Sequence, residues 1–189
     1  MKRTQLRISV FGLVVLTLTA IVAMGNRLPQ AGKSPTGKFL QIEGQVSVNG
    51  TAAISGATVF SDSTVTTAAR SSAVVSLGKL GRVEVLPSTT MKLSFGDSNV
   101  AVAMLDQGRV RISSSSNVNA STTTRDGQIT SVGNQRNEFI VDTSCGNTLV
   151  AVKKGRVELR AGSTVKQIAA GSQDTAGTAT PGCTPARGE

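Results

Sequence analysis

The residues able to do covalent or acid–base chemistry are few in this chain and poorly grouped. There is no histidine. The side chain that most often serves as general base near neutral pH, and most often binds a transition metal, is therefore missing. A Ser-His-Asp or Cys-His relay is excluded with it. A Ser–Lys pair is formally open, but serine is so abundant that chance neighbours are expected. Work by paired carboxylates needs two acids in one cleft. The 11 acids are scattered singly along the chain, and Asp97-Ser-Asn and Asp126-Gly have the composition of turns. No run of closely spaced oxygen ligands suggests a calcium loop. Two cysteines, Cys145 and Cys183, are too few for a four-ligand zinc site. The reading is of a chain that is not an enzyme, with no catalytic residues, no cofactor and no metal.

The two thiols admit two readings. In an oxidising compartment they could pair, and closing a loop of that length is worth about 4 kcal/mol in the chain-entropy model. Alternatively they are unrelated, with Cys183 in a loose tail.

The basic residues are better organised. Gly44-Gln-Val-Ser-Val, Gly81-Arg-Val-Glu-Val, Gly108-Arg-Val-Arg-Ile and Gly155-Arg-Val-Glu-Leu repeat one short pattern at irregular intervals. Each glycine suits a turn into a strand, and the two aliphatic residues, two apart, share a face. If the strands stack in register, Arg82, Arg109 and Arg156 form a row beside Glu84, Arg111 and Glu158, extended by Lys153, Lys154 and Arg160. Such a row is a candidate face for an anionic partner. The plainer reading is a solvated strand face with cross-strand Arg–Glu pairs of about 0.2–1 kcal/mol each.

The elements that must carry these residues are strands. From Lys38 onward, aliphatic residues alternate in runs of a few residues bounded by Gly, Asn, Asp, Ser or Pro. Val83 and Val85, Val100 and Val102, Val110 and Ile112, Phe139 and Val141, and Val157 and Leu159 are typical. No stretch of this region repeats with helical period. With no Trp or Tyr and five Phe, the core is built from Val, Ile, Leu and Ala. The fold expected is all-β, a β-solenoid-like roll or a sandwich of short strands, preceded by one N-terminal transmembrane or signal helix. Residues 113–124 (SSSSNVNASTTT) read as a flexible insertion. Asn49-Gly-Thr51 and Asn119-Ala-Ser121 match a glycosylation pattern but read as a turn and a loop.

The N-terminus divides further. Residues 1–7, with Lys2, Arg3 and Arg7, form a basic cytoplasmic stub. Residues 8–25 are uncharged. As a helix the apolar run spans about 26 Å, short but sufficient for a single membrane anchor. Basic residues ahead of it place the rest of the chain outside the cytoplasm. Cleavage at Ala23-Met24-Gly25 would instead release a secreted protein. Residues 26–37 read as a linker, 38–171 as the β domain, and 172–189 as a flexible tail unless Cys183 ties it down. The formal charge of +9 favours anionic neighbours such as an acidic protein face, wall polymer or lipid headgroups. Export and the scarcity of aromatic stacking residues argue against nucleic acid.

In sequence order, these segments resemble the FecR-like periplasmic domain over about Lys38 to Gly171. The resemblance rests on the opening Gly44-Gln-Val strand, Thr67 to Ala73, Gly81 to Thr89, Val102 to Val110, Phe139 to Thr143, and Val165 to Gly171. Two departures stand out. Cys145-Gly-Asn-Thr-Leu-Val shortens one unit of the pattern, and seven residues cannot supply the cytoplasmic anti-sigma domain of the iron-uptake regulators. The resemblance implies a β-rich periplasmic module in the bacterial inner membrane that works by protein–protein contact in envelope signalling or scaffolding. The alternative is a structural or wall-associated module that binds acidic polymer through the Arg face.

Overall fold

The structure is a computed structural model and describes residues 35–104 and 106–183. The stub, the apolar segment 8–25 and most of the linker lie outside the described residues. Among the described residues no helix is long and apolar enough to cross a membrane.

Seventeen strands follow one another: β1 Thr36–Glu43, β2 Val46–Val48, β3 Thr51–Ala52, β4 Thr58–Phe60, β5 Ser63–Thr67, β6 Ser72–Ser76, β7 Gly81–Val85, β8 Thr89–Phe95, β9 Asn99–Met104, β10 Arg109–Ser114, β11 Asn119–Thr123, β12 Gln128–Ser131, β13 Asn137–Asp142, β14 Thr148–Lys154, β15 Arg156–Ala161, β16 Thr164–Ala169 and β17 Gln173–Ala176. These are the strands of the described residues, and among those residues a single 3-10 turn, Gly78–Leu80, interrupts them. Two open sheets result. The first has the order β17-β14-β13-β10-β7-β6-β1-β4, the second β16-β15-β12-β11-β9-β8-β5-β2-β3. The chain passes back and forth between the sheets and advances steadily across both. Pairing is antiparallel throughout except between β9 and β11, which run parallel.

Alternation decides which side is dry. Val83 and Val85 of β7, Val110 and Ile112 of β10, and Phe139 and Val141 of β13 point inward from the first sheet. Val65, Leu93, Val102, Ile129, Val157 and Leu159 point inward from the second, and all join one apolar cluster. Removing this much aliphatic surface from water is the main force holding the sandwich together. Polar ties join the sheets at their ends. Thr89 Oγ1 of β8 accepts from Arg109 N of β10 at 2.9 Å, and within the second sheet Thr67 Oγ1 accepts from Thr89 N at 3.1 Å. Asn137 Oδ1 accepts from Arg156 N at 3.1 Å.

Three expectations are corrected. Residues 113–124 are not a flexible insertion: β10 runs through Ser114, and β11 is an internal strand between β9 and β12. Val118, Ala120, Thr122 and Thr124 are all buried, so small and hydroxylated side chains take the inward positions. Asn119 to Ser121 is accordingly strand, not loop, whereas Asn49-Gly50 is a turn with positive φ at both residues. Residues 172–183 are not a loose tail either. β17 pairs with β14, and a disulfide joins Cys145 to Cys183.

Candidate interaction face

Positions along each strand place the basic residues, and antiparallel pairing separates several that a stacked row would unite. β7 and β10 are neighbours, but they run in opposite directions. Arg82 therefore faces Ser113, and Arg111 faces Glu84. Arg82 and Arg109 sit at opposite ends of the pair. Arg156 and Arg160 lie on β15 of the second sheet, away from Arg82, Arg109, Arg111, Lys153 and Lys154 on the first. The repeated motif marks strands that share a direction of burial but not a common face.

Several of these cations are already engaged. Arg111 donates to Glu84 at 3.1 Å, each side chain about a quarter exposed. Arg160 pairs with Glu158 at 2.8 Å along its own strand, and Lys154 lies 3.8 Å from Glu138. Arg109 stands opposite Asp142 in register. Asp142 is almost completely buried, one carboxylate oxygen accepts from Ser144 N at 2.8 Å, and the other has no hydrogen-bond partner. A cleft of about 380 Å³ lies beside this pair, lined by Leu86, Pro87, Ser88, Gln107 and Ser144 among others. No group of His, Cys, Asp or Glu able to hold a metal occurs among the described residues.

A second cleft lies at the other end of the same strands. Ladder pairing sets Lys38, Ser76, Arg82, Ser113, Glu138 and Lys154 in one transverse row across β1, β6, β7, β10, β13 and β14. Five inter-strand steps make the row about 24 Å long. All but Lys38 line a groove of about 350 Å³, together with Leu40 and Arg136. Leu40 is 59% exposed. Gly81 opens the groove floor: a Cβ there would meet the backbone of Ser113. Arg82 and Arg136 are exposed and make no ion pair among the described residues. Sequence reasoning found Arg82 and Lys154 but missed Arg136 and Lys38. Arg136 belongs to no repeat and reaches the groove from the β12–β13 loop. Lys38 is legible only as an outward residue of an alternating strand.

No family model and no curated protein matches the sequence. The fold does have counterparts among solved structures. Two crystal structures of a candidate anti-sigma factor from Parabacteroides distasonis, at 1.65 and 2.50 Å resolution, each superpose with a TM-score of 0.50 at 15% sequence identity. The match covers 65% of this chain and 57% of the other protein. The likeness is one of fold, over little more than half of that protein's length.

Proposed function

We propose that this chain is an extracytoplasmic β-module of FecR-like type, held at the bacterial inner membrane by residues 8–25, which acts by binding a protein partner in envelope signalling. The observation that carries the reading is the fold: a progressively wound two-sheet sandwich shared with a candidate anti-sigma factor. The order of the strand motifs supports it. So does the Cys145–Cys183 disulfide, which suits an oxidising compartment. On this reading the sandwich is a scaffold for a recognition surface and does no chemistry of its own.

The test is crosslinking of the native chain in envelope membranes, followed by affinity capture and mass spectrometry. A dominant protein band is expected, with the chain resisting alkaline extraction from the membrane. Retention on wall polymer that is abolished by salt, with no protein band, would transfer the chain to the structural, polymer-binding reading. Arg82 and Arg136, which make no ion pair among the described residues, are what keep that second reading in view.

A further inference from the structure

We propose that the transverse groove on the outer face of the first sheet binds an extended acidic segment of a protein partner, its carboxylates on Arg82 and Arg136 and an apolar side chain against Leu40. The inference deepens the protein-binding reading and rests on it.

Three features select this occupant. The first is shape. The groove follows a row about 24 Å long, which an extended peptide of about seven residues would cover. A lipid headgroup or a free phosphate would fill only a fraction of it.

The second is charge. Lys38, Arg82, Arg136 and Lys154 lie in or beside the groove against one acid, Glu138, which is already close to Lys154. Arg82 and Arg136 present guanidinium groups that no carboxylate among the described residues takes up. A planar guanidinium matches a carboxylate with two parallel hydrogen bonds.

The third is the mixed character of the floor. Ser76 and Ser113 line it, Leu40 stands open at one end, and Glu138 carries negative charge near the other. A wall polymer with charge on every unit would set an anion against Glu138 and a sugar against Leu40. A peptide can vary its side chains to suit each position.

The experiment uses the full chain in detergent micelles and a fluorescein-labelled peptide of one leucine followed by glutamates, about seven residues long. Saturable binding by anisotropy is expected, weakening as salt rises. Arg82→Glu with Arg136→Glu should weaken it by at least about tenfold, since a charge-assisted hydrogen bond is worth about that factor or more. Arg70→Glu, in the β5–β6 turn at the far end of the strands, should leave it unchanged. A mapping on the wild-type chain needs no variant to fold: carbodiimide should couple peptide carboxylates to Lys154 and Lys38 and not to Lys92 or Lys166.

Absent binding, affinity indifferent to the double reversal, or coupling only at Lys92 or Lys166 would overturn the groove. So would binding of polygalacturonate or phosphatidylglycerol vesicles through the same arginines while the peptide fails. A protein captured from envelopes together with a flat peptide titration sinks the groove alone. Capture of wall polymer and no protein sinks the reading beneath it.

Discussion

Gly155 shows how much a single backbone position fixes. Its φ is +81°, and a Cβ built there would run into Asn137 Oδ1 and lie 2.8 Å from Arg136 O. The same Asn137 oxygen accepts from Arg156 N, so a side chain at 155 would strain the backbone and break a tie between the sheets. Gly133 also has positive φ, at +83°, but nothing lies within 4 Å of its Cβ position. Gly133→Ala should therefore cost only the left-handed penalty, about 1 kcal/mol. Gly155→Ala should cost at least about 1 kcal/mol more. Urea melts of the two variants check this, and equal midpoints would refute it. At this scale the sequence is partly legible. The glycine of the repeated motif marks a turn into a strand, but the neighbour that forbids a side chain comes from another strand. The same holds for Arg82 and Arg111. Both read as outward from alternation, and only the pairing shows that Arg111 meets Glu84 while Arg82 does not.

At the scale of elements, strands with aliphatic alternation were legible and strands without it were not. β7, β10 and β15 announce themselves through Val, Ile and Leu two apart. β11 reads Asn-Ala-Ser-Thr-Thr and looks like a solvated loop, yet Ala120 and Thr122 are fully buried. The overlooked signal is the period itself. Val118, Ala120, Thr122 and Thr124 alternate as strictly as any aliphatic run, and threonine is at home in strands. The last element depends on covalent closure. β17 has four residues, paired along one side with β14, and its inward Ala176 is small. The Cys145–Cys183 disulfide holds the segment that follows it, and Thr180 N donates to Cys145 O at 2.8 Å. Replacing both cysteines by alanine should cost up to about 4 kcal/mol, the chain-entropy estimate for a loop of this size. The loss should be uneven. Hydrogen exchange should rise at β17 and residues 177–183, while the central β10 and β13 keep their protection relative to global unfolding. Uniform acceleration throughout the domain would show that the C-terminal segment is not a separable unit.

At the scale of the molecule, an open sandwich must deal with four sheet edges. β3 and β4 are only two and three residues long, too short to template another strand. The opposite edges are longer, and there the two sheets are tied to each other. Lys166 of β16 donates to Asp174 Oδ1 of β17 at 2.7 Å. A charge placed at an edge in this way opposes strand addition. It also makes stability depend on acid. The hydrogen bond from Lys166, with help from Thr175 N and the ammonium charge, holds Asp174 below its ordinary value of 3.8. Asp62 is lowered too, first by the hydroxyl of Ser94 and then by the charge of Lys92. A carboxylate depressed in the folded state contributes its full stabilisation above its unfolded value. That contribution disappears as pH falls through the folded one. The urea midpoint should therefore be level above about pH 5 and fall below about pH 4. Lys166→Met isolates the edge pair. Both partners are more than a third exposed, so screening limits the pair to about 1 kcal/mol at neutral pH. The variant should lose up to that amount at pH 7, lose progressively less as falling pH protonates Asp174, and so show a shallower acid limb. A difference from wild type that stays constant from pH 7 to pH 2 would assign Lys166 to packing and remove the ion pair from the closure of this edge.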